Sequence, residues 1–279
     1  MIQPEKWRET INPFSINYKK FILKEILGYP HAGNDVFYVK GIFDNKICNA
    51  YIKIERQKGA NIVNEANVIK QLSFDFVPKI LEYSESNPKY IITEEAIGER
   101  LSYLLDIDKE HTSLYYMESY GKALAEFHKL KLNCNDVIHR RFFDIPPHDY
   151  MVKWNLITAE AFLLNNSPKN NSKCFVHGDF HYANILWNKN RISCVLDYEL
   201  SGNGIREFDI AWAIFLRPGQ KFLKTKEERD LFLEGYKRLQ NFDMFSVNYY
   251  LVLIASYFYS MGNQNYRFDV DNIISDIIN

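Results

Sequence analysis

The 279-residue chain is poor in several things, and each shortage removes a class of protein. Glycine numbers only 12 and proline 9, which excludes collagen-like and glycine-rich low-complexity architectures. The four cysteines, Cys48, Cys134, Cys174 and Cys194, lie far apart, with no CxxC pair and no Cys/His grouping at zinc-finger spacing. Free thiols in a reducing, cytoplasmic setting are therefore expected. Charge of one sign is also missing: 34 Lys plus Arg stand against 35 Asp plus Glu, a formal net charge of -1. That balance leaves no cationic excess to release counterions from a phosphate backbone, so nucleic acid is not an expected partner. The opening stretch MIQPEKWRET carries charges where an export signal needs an apolar run. The longest apolar run, YYLVLIASYFYSM from Tyr249, falls short of the ~20 residues that span a bilayer and reads as a buried helix, with no membrane partner.

What remains is abundant apolar and aromatic material. With 47% hydrophobic residues, 19 Tyr and 20 Phe, the chain has enough to bury a large core. Its first third alternates β-rich runs with turn signals: KKFILKEIL, YPHAGND, VFYVKGIF, the Asp44-Asn45 turn and KICNAYIKI. These predict a meander of antiparallel strands. An amphipathic helix is expected over 61–72, then strands in VPKILEYSE and KYIITEEA. After Gly98 the pattern changes to helical spacing, over 113–130, 150–164, 207–216, 226–239 and 247–261, with short strands near Cys174 and Val195. The fold class is thus α+β, with a strand-rich front (residues 1–95) and a helix-rich back (96–279).

The chemistry concentrates in FVHGDFHYANILWNKNRISCVLDYELSG, beginning at Phe175. Phosphoryl transfer to an alcohol requires a carboxylate at the attacking hydroxyl, hard oxygen ligands for magnesium and cations over the phosphates. Asp179 suits the first role, and Asn184 and Asp197 suit the second. Asp179 precedes Asn184 by five residues and follows His177 by two, the spacing of the kinase catalytic loop H-R-D-x-x-x-x-N. Asp197 follows a hairpin-like ILWNKNRISCVL, where a metal-binding aspartate belongs.

With HGDFHYAN and LDYE in place, the chain resembles the aminoglycoside phosphotransferase and choline kinase superfamily, relatives of the protein kinases, along nearly its whole length. The resemblance implies a protein-kinase-like bilobal fold: an antiparallel N-terminal lobe that binds nucleotide, a mainly helical C-terminal lobe with the catalytic loop and the acceptor, and an active site in the cleft between them. It implies that Lys53 in AYIKIE neutralises phosphates and that Glu65, twelve residues on, holds that lysine. ITEEAIGERL becomes the hinge, with the Glu94 carbonyl and the Ala96 amide contacting adenine. Asp209 in EFDIAWA becomes a support for the catalytic loop. Taken singly, a strand lysine and a helix glutamate are ordinary solvated residues; their order ahead of the catalytic loop is what assigns them.

Two departures stand out. LGYPHAGNDVFYV lacks the G-x-G-x-x-G loop, so Gly33 and Asn34 read as a bare surface hairpin rather than a phosphate cover. DYE replaces D-F-G and no A-P-E segment follows, which disfavours a protein acceptor. His177 is expected to be structural, Asp209 to be buried and satisfied, and Glu199 to be either an outer metal neighbour or an exposed turn residue. The aromatic C-terminal part, with Trp154 and Trp212, reads as core rather than as a cage for a cation. Asp149, Glu160 and Glu234 read equally as partners for amines or as a solvated face.

The expected activity is ATP- or GTP-dependent phosphorylation of a small-molecule hydroxyl with Mg²⁺, by a monomer or homodimer, in resistance or in ordinary metabolism. An aminoglycoside-like antibiotic leads as acceptor. A choline, ethanolamine or homoserine-type amino alcohol is the alternative, and a nucleotide-binding module without turnover is the alternative of another class. An aminoglycoside calls for a broad acidic site, whereas choline calls for a compact aromatic cage.

Overall fold

The computed structural model describes residues 10–30, 33–56, 59–107, 111–169 and 173–279. The chain divides into two compact units, one of residues 1–98 with 193–201 and one of residues 99–192 with 202–279.

In the first unit, β1 (Ile22–Gly28), β2 (Asp35–Phe43) and β3 (Lys46–Ile54) form the expected meander. The β2–β3 turn is closed by Asp44 and Asn45, both at positive φ (49° and 61°), a conformation that short Asx side chains tolerate and that matches strand twist. After helix α1 (Ile62–Ile69), β4 (Ile80–Ser84) and β5 (Tyr90–Glu94) complete a five-stranded antiparallel sheet ordered β1-β2-β3-β5-β4. One face of the sheet buries Phe21, Phe37, Val39, Ala50, Ile52 and Ile92. The segment entering β1 is tied down by Glu82, which accepts hydrogen bonds from the backbone N–H groups of Lys19, Lys20 and Phe21 at 2.8, 2.7 and 2.8 Å. Helix α1 starts where Asn61 caps the Asn64 amide at 3.0 Å.

The second unit opens with β6 (Glu99–Arg100) and the short α2 (Leu101–Ile107). Helix α3 (Leu114–His128) follows, then α4 (His148–Lys153) and α5 (Ile157–Asn165). The single helix expected over 150–164 is thus two. Asn155 sits at φ 57° between them, a left-handed residue that a continuous helix excludes. Next come β7 (Lys173–Val176), β8 (Ile185–Asn188), which pairs antiparallel with β6, and β9 (Arg191–Val195), whose last residues belong to the first unit. The chain ends with β10 (Gly202–Ile205), paired with β7, and helices α6 (Arg206–Ile214), α7 (Lys226–Lys237), α8 (Met244–Phe258) and α9 (Gln264–Ile278). Helices α3 and α7 approach through Gly121 and Gly235. A Cβ at either would collide with a backbone carbonyl of the other helix, at Phe232 and Glu118 respectively. Helix α8 is buried along most of its length, in keeping with its apolar sequence. No helix among the described residues is long and apolar enough to cross a membrane.

Candidate active site

The first unit gathers one cation and three carboxylates. Lys53 leaves β3 with its ammonium 2.9 Å from Glu65 of α1, 2.8 Å from Asp197 and 2.5 Å from Glu199. Burial works to lower the lysine pKa, but the three carboxylates outweigh it and hold the group protonated. Glu65 is pushed up by its burial and by the neighbouring carboxylates, against the pull of Lys53. Local structure explains how Asp197 and Glu199 arrive there. Asn64 donates its side-chain amide to the Glu199 and Ser201 carbonyls at 3.1 and 2.9 Å, and the Asn61 amide donates to Glu199 at 3.3 Å. Asp197 adopts φ 68°, a strained conformation for a side chain of this kind and one that clusters at functional sites.

Glu199 is therefore no exposed turn residue. Asn34 is not part of a bare hairpin either: it is 3% exposed and donates to Glu199 at 2.6 Å while accepting from the Arg56 amide at 3.0 Å. The pairing that produces this is non-local, which is why hairpin chemistry alone misplaced it. Oxygens of Glu65, Asp197 and Glu199 lie within 4.8 Å of one another, a hard-oxygen donor set that fits Mg²⁺. At the end of the sheet, Glu94 closes β5 and its amide bonds to Lys79, whereas the Ala96 amide has no hydrogen-bond partner among the described residues.

The second unit places Asp179 in a different setting. Gly178 stands at φ 80°, a left-handed turn that favours glycine and that aims the Asp179 side chain. The amides of His177 and Gly178 donate to Asp209 at 3.0 and 3.1 Å, and the Asp179 amide donates to His177 Nδ1 at 3.2 Å. Asp209 and His177 are buried, and Asp209 also meets His128 Nε2 at 3.2 Å. Both thus act as the structural supports of the loop.

The Asp179 carboxylate is surrounded by donors. The Trp212 indole N–H donates to Oδ1 at 2.8 Å, and the Asn184 amide donates to Oδ2 at 3.2 Å. His181 accepts the Ala183 amide through Nδ1 and turns Nε2 toward Oδ2 at 3.5 Å. Burial alone would raise the Asp179 pKa, but the His181 bond and the positive charges of Arg217 and Arg140 win and hold it below the usual carboxylate range. Asn184 spends its N–H donors on Asp179, whose carbonyl accepts at 3.0 Å, so its Oδ1 has no hydrogen-bond partner among the described residues and suits a cation. Asp179 is built to accept a hydrogen bond and to stay ionised.

The profile of the phosphotransferase enzyme family APH matches residues 53–246. The chain belongs to this family. No curated protein matches the sequence. Among solved structures, this phosphotransferase is similar to spectinomycin phosphotransferase APH(9)-Ia in complex with ADP and spectinomycin, at 14% identity over 94% of this chain and 92% of that one, with a TM-score of 0.56. The streptomycin-ATP-APH(2")-IIa ternary complex matches at 16% identity over 90% and 86%, TM-score 0.57. Plasmodium vivax ethanolamine kinase matches at 16% identity over 98% and 84%, TM-score 0.57. The likeness extends the kinase-like α+β fold across the chain.

Three residues of this phosphotransferase's site escaped the motif reading. Trp212 was read as core, yet its N–H is committed to Asp179. Arg140 donates to the Gly178 carbonyl at 2.7 Å, and Arg217 to the Trp212 carbonyl at 2.9 Å. The RRFF run at 140–143 was the available signal, since paired arginines beside aromatic rings are unusual on an exposed loop. Asp149, Glu160 and Glu234 do not form an acidic wall: Glu160 is buried against His148 at 2.9 Å, and Asp149 and Glu234 are exposed on separate helices.

Proposed function

We propose that this phosphotransferase moves the γ-phosphoryl group of ATP to a hydroxyl of a small molecule, with Mg²⁺ as cofactor. The observation that supports this most is Asp179, a partly buried carboxylate kept ionised and aimed by Trp212, Asn184 and the HGD turn. In the proposed reaction the acceptor oxygen forms a bond to the γ-phosphorus, the bond from that phosphorus to the ADP oxygen breaks, and the hydroxyl proton passes to Asp179. A low pKa makes Asp179 an orienting acceptor that takes the proton late, as the oxygen loses its basicity to phosphorus. Lys53 steadies the phosphates and Glu65 holds Lys53. Asp197 and Asn184 are the residues that would hold Mg²⁺, which would supply charge neutralisation at the phosphates. The hinge carbonyl of Glu94 and amide of Ala96 take the adenine.

ATP as donor draws support from relatives described with ADP and with ATP. For the acceptor, the spectinomycin and streptomycin complexes support an antibiotic and the ethanolamine kinase supports an amino alcohol. The deciding experiment is Mg²⁺-dependent ADP release from the purified protein against a panel of hydroxylated compounds, run beside Asp179→Asn. Turnover that disappears in the variant upholds the reading. Equal turnover in the variant removes Asp179 from the role, and absence of both ATP binding and turnover removes the kinase reading itself.

A further inference from the structure

The second unit holds cations where an aminoglycoside site needs anions. Its acidic and basic residues are equal in number, and two guanidinium groups, Arg217 and Arg140, exert their charge on Asp179. Arg140 lies with Cζ 4.9 Å from the centre of the Trp212 ring and 5.3 Å from that of Phe142. Arg217 lies 5.2 Å from the same Trp212 ring. Neither arginine forms an ion pair among the described residues. The two carboxylates whose fields reach Arg140 are already engaged: Asp179 accepts from Trp212, Asn184 and His181, and Asp209 accepts from two amides and His128. The guanidinium of Arg140 gives one N–H to the Gly178 carbonyl, and the rest of its donor fork has no protein partner among the described residues.

The Asp179 and Asp209 charges compensate Arg140 only through space, with no direct ion pair, so the free part of its half-buried fork remains to be satisfied by a further acceptor. A guanidinium held among aromatic rings and anchored by one carbonyl is also able to read a carboxylate or phosphate through its remaining N–H donors. A polyamine beside Asp179 meets two like charges instead. A quaternary ammonium finds the indole already used by resident cations, so the cation–π contact of an aromatic cage is taken.

Resting on the kinase reading above, we infer that the acceptor of this phosphotransferase is an alcohol that itself carries an acidic group, carboxylate or phosphate, and that Arg140 binds that group while Asp179 holds the hydroxyl. The test is a matched acceptor panel under Mg²⁺-ATP: hydroxy acids and sugar phosphates, the same compounds amidated or dephosphorylated, amino alcohols and aminoglycosides, with wild type and Arg140→Gln. The expected result is an anionic best acceptor that loses at least about tenfold in kcat/KM when its acid group is neutralised. Arg140→Gln should raise that acceptor's KM at least about tenfold while the KM for ATP stays within about twofold. The carboxylate and phosphate arms distinguish the two sources of the anion. A cationic best acceptor, or an acceptor KM indifferent to Arg140→Gln, overturns the inference and leaves the kinase reading standing. If no compound turns over, calorimetric titration of glycerol 3-phosphate and malate in the presence of a non-hydrolysable ATP analogue decides it: binding that Arg140→Gln abolishes supports the inference, and no binding overturns it. Failure of the kinase reading would show separately, as loss of nucleotide binding.

Discussion

The two charged clusters of this phosphotransferase are opposites. Around Lys53 one ammonium faces three carboxylates, whereas around Asp179 one carboxylate faces an indole N–H, an imidazole and two guanidinium groups. Each cluster is unbalanced alone, and the imbalance predicts what each takes from solution. The first lacks positive charge and suits a metal ion with its polyphosphate. The second has guanidinium donors to spare and suits an oxygen nucleophile on an anionic molecule. Burial sharpens both demands, because a low-dielectric setting penalises charge left uncompensated.

The largest expected effect breaks the second cluster. Asp179→Asn keeps the size of the side chain but removes the acceptor charge, and kcat should fall by roughly 10²- to 10⁴-fold with little change in the KM for ATP, measured by initial rates. Lys53→Met breaks the first cluster and should cost about 10²-fold in kcat/KM for ATP while leaving acceptor binding intact; an equal loss on both substrates would mean that the clusters do not divide the work as described. Trp212→Phe sharpens the account of Asp179, since it deletes one charge-assisted bond to Oδ1 and should lower kcat about tenfold without raising either KM.

The pH dependence separates the clusters further. A carboxyl whose folded pKa is depressed stabilises the fold above its unfolded pKa and loses that contribution only as pH falls through the lower folded value. Asp179 is such a group, so the rate profile between about pH 5 and 8 should carry no acid limb from it. His181→Ala removes the leading stabiliser of the ionised form and should move any acid limb upward. In the first cluster, Mg²⁺ should raise the melting temperature of the nucleotide-free protein, and Asp197→Asn should erase that gain. The smallest effect is structural: Gly235→Ala, at the α3–α7 crossing, should cost about 2 kcal/mol in urea unfolding because a backbone carbonyl cannot step aside.

Much of this was legible in the sequence because it is local. Period-two runs located β1 to β5, and the pairing of Lys53 with Glu65, which the structure contains, was implied by the family resemblance rather than by either residue alone. HGDFHYAN and LDYE placed Asp179, Asn184 and Asp197 on the turns where the structure has them. What was not legible is held by distant partners. Glu199 reads equally as an outer metal neighbour or an exposed turn until Asn34, Asn61 and Asn64 converge on its segment. Arg140 lies in a stretch, 131–147, that has no helical or strand period, so only its neighbours Gly178 and Trp212 give it meaning. Helix α9 went unread although Tyr266, Val270, Ile273 and Ile274 recur at helical spacing and are buried; its many polar residues masked a narrow apolar stripe.

The most direct test of the account follows the phosphorus itself. Phosphorus NMR of Mg²⁺-ATP incubated with acceptor and wild-type protein should show a phosphate monoester growing as ATP is consumed, and the same mixture with Asp179→Asn should show almost none over the same time. ATP consumed to free phosphate alone, or a monoester formed equally fast by Asp179→Asn, would contradict it.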